Sequence, residues 1–562
     1  GMVLYTLLVL CGCGAQTSQE TSSAAEASTS QEEAVSTGSA IDIASLFSDR
    51  DLEGTYDESA AIAIQLGGDS ASCDSDAVTI EGSQIIIGAE GVYVLSGTLN
   101  DGQIVVNAGE TDKVQLVLAG ADITSSTSAA IYALEADKVF ITLAEGTDNT
   151  LTNGGEYVAI DDNNIDAVIF AKTDLTLNGA GSLTIEAQAG HGIVSKDDLT
   201  VTGGSYTITA ASHGLSGKDR IAIANGTFAI ISGKDGIHAE NTDDLSLGIL
   251  YIADGDYTIT AQGDAISAQG SLQIDGGTFN LYTGEGSASV DMTSSDIDQI
   301  GGGLRGGMDA QTDVTTAAAE EDTVSQKGIK GESTYTINGG TFMIDSADDC
   351  LHAGGAMNMT AGEFTLNSGD DAVHSDDALV IQNGTFTIPY CYEGIEGLSI
   401  TIEDGTFDIT SNDDGLNAGG GVDSSGFGGF NGLPQDTFAS SSDSFITING
   451  GTFTIVSSGD SVDSNGDLTI NGGTLELTCN GNGDTALDCD GTYTNNGGDV
   501  TTNDGSENNP GQMGGGKGGT LAGAGRMAQM AAGVPMGRQF PPLPEVALHF
   551  SDSGSVYTAE LK

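Results

Sequence analysis

From residue 339 onward the chain alternates apolar and polar side chains in short runs, each broken by Gly or Asn-Gly. Three successive stretches, GGTFMIDSADDCLHAGGAMNMT, AGEFTLNSGDDAVHSDDALVIQ and NGTFTIPYCYEGIEGLSITIED, repeat one pattern. Phe342, Phe364 and Phe386 lie 22 residues apart, and so do Asp349, Asp371 and Glu393. Alternation with period two, punctuated by turn residues, predicts strands and no helical face. A fixed short period predicts one structural unit repeated. Twenty-two residues make three short strands and three turns. Stacking such coils places equivalent residues about 4.8 Å apart. The expected fold is all-β, a right-handed parallel β-helix. In it Phe342, Phe364 and Phe386 form one internal stack, and Leu351, Val373 and Ile395 another. No single coil can bury its own apolar face, so the coils stabilise one another.

The rhythm extends well beyond this stretch. Strands begin with GVYVLSG at Gly91; DKVQLVLAG and DKVFITLAEG follow with Lys113 and Lys138 25 residues apart, and the period tightens to 22 between Tyr206 and Phe228. The β-helix is expected over residues 91–526, with insertions near 285–330 and 419–443. Residues 46–90 are expected to cap the first coil, and 527–562 to form a loop and a final strand.

At the N-terminus the apolar run ending LCGC resembles the tail of a lipoprotein signal, with Cys13 as the acylated residue. A Ser/Thr/Glu-rich tether would follow over residues 14–45. The protein is thus expected to be extracellular and held at the cell surface by a lipid anchor, touching the membrane in no other way. Composition narrows the partners: 81 acidic against 15 basic residues give a net charge of −66. Nucleic acid would be repelled. Cys73, Cys350, Cys391, Cys479 and Cys489 show neither disulfide-framework nor zinc spacing; buried thiols are expected, a Cys479–Cys489 bridge being the alternative.

Aligning the units on their aromatic residue brings a second column into register, here called p. It holds His191, His213, Asp235, Asp264, Asp349, Asp371, Glu393, Asp414, Asp460 and Asp484. Position p+2 is apolar and expected inside. Positions p+1 (small) and p+3 (polar, including His238, His352, His374 and Asn417) are expected outside, forming a shallow groove that meets ligand. Carboxylates stacked about 4.8 Å apart repel by roughly 3.5 kcal/mol per pair at an effective dielectric of 20. Cations, hydrogen bonds to turn amides, or raised pKa values must relieve that. Calcium, with its tolerant shell of oxygens, suits the doubled acids Asp348/Asp349, Asp370/Asp371 and Asp413/Asp414. The alternative is a capping ladder in which each Asp accepts turn N–H groups.

Units such as DDGLNAGG and DGIHA interleaved with NGGTFTI, the segments FSDRDLEGTYD and YVLSGTLNDGQIVV, and the late GGTLAGAGRMAQ resemble the clostridial calcium-containing carbohydrate-binding β-helix family. The resemblance implies a pectate-lyase-like fold and binding of cellulose or acidic plant polysaccharide such as polygalacturonate. Carried over by motif, its calcium ligands would be Asp235, Asp264, Asp348, Asp349, Asp370, Asp371, Asp413, Asp414 and Asp460. His191, His213 and Glu393 depart from the pattern. The function expected is non-catalytic binding of plant cell-wall polysaccharide by a monomer. The alternatives are a calcium-dependent lyase, whose best candidate base is Lys234 among Lys196, Lys218, Arg220 and Lys234, and a passive surface stalk.

Overall fold

A computed structural model of the protein describes residues 41–290, 292, 324–419 and 443–510. Forty-four strands pair among these residues into one continuous, unclosed and almost wholly parallel sheet. Only Ala61–Gly68 with Ala71–Ser72, and Val78–Glu81 with Gln84–Ile87, pair antiparallel. Over most of the chain each strand pairs with the third strand after it, as Ser205–Ala210, Thr227–Ser232 and Asp256–Ala261 do in unbroken register. The chain therefore advances in circuits of three strands, and the strands fall into three columns.

The first column carries the aromatic residues. Tyr206, Phe228, Tyr257, Phe279, Phe342, Phe364, Phe386, Phe407 and Phe453 stack with centroids 4.5–5.2 Å apart and planes within 15°. Thr341–Ser346 shows why the sequence pattern works: Phe342, Ile344 and Ser346 are buried, while Thr341 and Met343 are exposed. The glycine two residues before each ring is required. Gly340 sits at φ 114°, and a Cβ there would lie 3.0 Å from the Phe342 ring. The second column stacks Ile193, Leu215, Ile237, Ile266, Ile329, Leu351, Val373, Ile395, Leu416 and Val462. The third includes Arg220–Ile223, Ile249–Ile252 and Leu272–Ile274.

The N-terminal segment differs from expectation. Residues 61–87 already pair as the first circuit, so strands start about thirty residues earlier than position 91. Residues 46–55, expected to cover the open end, run along the outer flank of the third column. Phe47 meets Tyr251, Arg50 lies over Phe140, and the Thr55 carbonyl accepts from Gln115. Asp51 anchors this strap. It closes a capping box with Ser48 and accepts from Thr176 and Lys138, each at 2.6 Å. A polar strap suits the flank because Gln115, Thr142, Thr176 and Asn178 leave hydrogen-bonding groups on the outer face that an apolar lid could not satisfy.

Cys350, Cys391, Cys479 and Cys489 are free, buried thiols; no Cys479–Cys489 bridge forms. Cys13, residues 14–40 of the expected tether, most of both insertions and the 527–562 segment lie outside the described residues, whereas Ile43–Ser45 form a short 3-10 turn. No helix among the described residues is long and apolar enough to cross a membrane.

Candidate cation and anion sites along the p column

Position p falls at the turn that enters the second column, and the turn breaks the alternation expected there. Its side chain lies outward beside p+3, whereas p+1 turns inward: Ala265, Cys350 and Ala372 are core residues. The small residues at p+1 therefore line no groove. They are small because the interior is tight: a Cβ on Gly236 would come within 2.4 Å of Ile259.

In most circuits one oxygen or nitrogen of the p side chain accepts the backbone N–H of the next p residue. The exception at Lys327, whose ammonium cannot accept, is made good by Asp348 Oδ1, which takes the Asp349 N–H at 2.9 Å. Asp235 Oδ1 accepts from Asp264 N (2.8 Å), and Asp264 Oδ1 from Lys327 N (2.7 Å). Asp349 Oδ1 accepts from Asp371 N (3.0 Å), Asp371 Oδ1 from Glu393 N (3.3 Å) and Asp414 Oδ1 from Asp460 N (2.6 Å). His191 and His213 do the same through Nδ1, each at 3.1 Å. In these circuits the position supplies an acceptor whether or not it carries a charge, and this accounts for the two histidines. In the last circuit Asp460 Oδ1 accepts from Thr485 N, and Asp463 pairs with Asp488. That circuit is 25 residues long, so Thr485, not Asp484, stands at p, and Asp488 at p+3.

The second carboxylate oxygen turns to p+3. Asp235 Oδ2 meets His238 Nδ1 at 2.7 Å, Asp349 Oδ2 meets His352 at 2.8 Å and Asp371 Oδ2 meets His374 at 3.0 Å. His374 also contacts Glu396 and Asp376. Burial alone would lower its pKa, but these three carboxylates raise it well above the usual imidazole value. His352, His374 and Asn417 are 3, 1 and 3 % exposed, so they present no surface to a polymer. His238 is partly exposed beside a groove.

Lys327 also stands at p, in the motif Lys327-Gly328-Ile329-Lys330, which matches DGIH in form. Its buried ammonium reaches Asp348 Oδ1 (2.8 Å) and Asp349 Oδ2 (3.0 Å). Asp349 is held well below the usual carboxylate range: burial would raise it, but Lys327, His352 and His374 outweigh that. An intrinsic cation thus sits in the cluster Asp348, Asp349 and Asp370, whose oxygens converge as metal ligands would.

The C-terminal circuits differ. Asp460, Asp463 and Asp488 bring carboxylate oxygens within 4.8 Å of one another. Asp413 and Asp414 adjoin them, and a Cβ on Gly459 would fall 2.3 Å from Oδ1 of each. No Lys, Arg or His lies within 4 Å of these five carboxylates among the described residues. Burial, together with the neighbouring carboxylates, pushes Asp460 and Asp463 up to about 7 and Asp414 well above its usual value. This oxygen-only donor set, with room kept by a glycine, fits a hard divalent cation. Asp463 falls at p+3 in the sequence pattern, in register with Asn417, whereas Asp488 is hidden because the longer last circuit shifts the register.

The chain is similar to the following known proteins. A family model described as carbohydrate-binding domain-containing protein matches residues 81–372 and 370–509. A carbohydrate-binding domain-containing protein of Acetivibrio thermocellus is 41% identical over 145 residues, 25% of this chain and 51% of the relative. The chain thus spans about half the length of that relative. A solved structure, the gadolinium derivative of a polysaccharide lyase-like protein from C. thermocellum, is 37% identical over 40% of this chain and 91% of that one, with a TM-score of 0.39.

Proposed function

The chain belongs to the carbohydrate-binding domain-containing protein family, and from that premise we propose that it is a non-catalytic, cell-surface binder of plant cell-wall polysaccharide. We take the three-strand circuits as a right-handed parallel β-helix, the hand that parallel crossover connections almost always adopt. Cellulose and acidic polymers such as polygalacturonate are the ligands in view. The lipid anchor at Cys13 belongs to the same proposal, tested by labelling cells with a fatty-acid analogue.

Calcium is proposed at Asp413, Asp414, Asp460, Asp463 and Asp488, where it would supply counter-charge to stacked carboxylates. It is not proposed at Asp235 or Asp264, whose oxygens serve the amide ladder and their p+3 or neighbouring donors. At Asp348, Asp349, Asp370 and Asp371 the role of counter-ion goes to Lys327 and His374.

The observation that favours binding over catalysis is how the basic side chains near the column are used. Proton abstraction from a uronate needs an unprotonated base. Of these, Arg220 is held by Asp198 and Lys218 by Asp243, each at 2.6 Å, and Lys327 lies between two carboxylates. The Asp243 carboxylate raises the Lys218 pKa above its ordinary value, which makes that lysine a poor base. Lys196 and Lys234 meet no carboxylate within 4 Å among the described residues, so Lys234 stays the base that the lyase assay tests.

Retention on insoluble cellulose and on polygalacturonate gels tests the function; passage through both unretarded would overturn it. Growth of ultraviolet absorbance from an unsaturated product in polygalacturonate with calcium would reassign the protein as a lyase.

A further inference from the structure

In a chain this acidic, one groove gathers N–H donors and cations. Its cavity of about 260 Å³ is lined by His191, Lys196, His213, Lys218, His238 and Glu240, among others. The volume is just below the roughly 300–1,000 Å³ usual for drug-sized ligands and suits a smaller guest. The three imidazoles stack face to face, with centroids 5.0 and 4.1 Å apart.

His213, Asp235 and His238 lie close enough together to suggest a metal site, but the amide ladder argues against one. A neutral imidazole has one lone-pair nitrogen and one N–H. Nδ1 of His191 and of His213 is committed to accepting a backbone N–H, so the proton of each sits on Nε2. A metal at Nε2 would have to strip that proton, and one at Nδ1 would evict the amide. Both rings therefore offer N–H donors.

His191 Nε2 already faces Asp166 Oδ2 at 3.6 Å. His213 Nε2 has no acceptor among the described residues. Lys196 lies over the Phe170 ring, with no carboxylate within 4 Å among them. Lys218 holds Asp243 at the rim. Of the facing carboxylates, Asp235 and Glu240 are taken up by His238, at 2.7 and 3.2 Å.

We propose that this groove is an anion seat for the carboxylate of one uronic acid unit, bound by His213 Nε2–H and the Lys196 ammonium. The site rests on the polysaccharide-binding reading for the ligand being a sugar, and adds which unit is recognised and where.

The full chain is titrated calorimetrically with a short oligogalacturonide and with a cello-oligosaccharide, both in chelator so that calcium cannot bridge. His213→Asp keeps the ladder acceptor, as Asp does at other circuits, but removes the donor and adds a charge. His213→Asn keeps both an acceptor and a donor. We expect oligogalacturonide affinity to fall about tenfold or more in His213→Asp and in Lys196→Gln. His213→Asn should retain much of it, and melting temperatures should be unchanged. Equal affinity in wild type and His213→Asp, or no uronate binding at all, overturns the anion seat. Cello-oligosaccharide or insoluble-polymer binding that survives either result leaves the polysaccharide reading standing. The reverse outcome, free galacturonate bound through His213 with no polymer retained, overturns that reading and leaves the seat.

Discussion

At p a single side chain does two jobs, and the histidines show which is general. His213 serves as an acceptor, and burial followed by the neighbouring His238 charge holds its pKa down to about 3. For His238, burial opposes protonation, but hydrogen bonds to Asp235 and Glu240 lift it to about 9. Two-dimensional NMR of the imidazoles should therefore find His213 neutral and His238 charged from pH 5 to 8. A folded pKa raised above the unfolded value contributes stability that is complete below about pH 6.5 and lost as pH rises through 9. For His213 the sign reverses: its contribution is present above about 6.5 and is lost as pH falls toward 3. Asp235→Asn should bring the His238 titration back toward its ordinary range. Lys327 makes a further residue-scale test. Lys327→Met leaves Asp348 and Asp349 buried without their cation, a loss of about 3–5 kcal/mol. Added calcium should then restore melting temperature in this variant more than it raises that of wild type; an equal response would mean that these carboxylates take no ion.

The column is the element in which sequence and structure can be compared position by position. The 22-residue period located Phe342, Phe364 and Phe386 in one stack and Leu351, Val373 and Ile395 in another, because side-chain alternation is a backbone property that repeats faithfully within a strand. It failed where the strand ends. Two residues at a turn decide whether Cys350 points in and Asp349 out, and alternation carries no information there. Lys327 was hidden by the insertion before it, although Lys-Gly-Ile-Lys has the shape of Asp-Gly-Ile-His. Burial of His352 and His374 was equally illegible, since a polar residue on a strand's outer face reads as solvated unless one knows what lies over it. The aromatic stack should be intolerant at its entry glycines: Gly340→Ala places a methyl against Phe342 and the Gly277 carbonyl at a left-handed φ. We expect a loss of about 1–3 kcal/mol by denaturant titration.

For the molecule as a whole, a net charge of −66 is tolerable only where each dense cluster has its own relief. Lys327 and the histidines relieve the middle circuits; Asp413, Asp414, Asp460, Asp463 and Asp488 have no basic neighbour among the described residues, and burial pushes the first four toward their neutral form instead. The raised folded pKa values of Asp460 and Asp463 mean that stability present below about pH 4 is lost as pH rises through 7. Melting in chelator should therefore become easier from pH 4.5 to 7.5, and saturating calcium should cancel most of that trend. A hundredfold excess over Kd corresponds to about 2.7 kcal/mol. A melting curve indifferent to calcium at every pH would remove the ion from these circuits.

Where the amide ladder is formed it runs one way: a circuit carries the acceptor, and its successor brings the donor. A copied block of one period would arrive with a hook for the next block and an eye for the previous one. Gene-level duplication or deletion of whole periods can thus lengthen or shorten the protein without inventing a new joint, whereas a block cut short by a few residues would leave both ends unfastened.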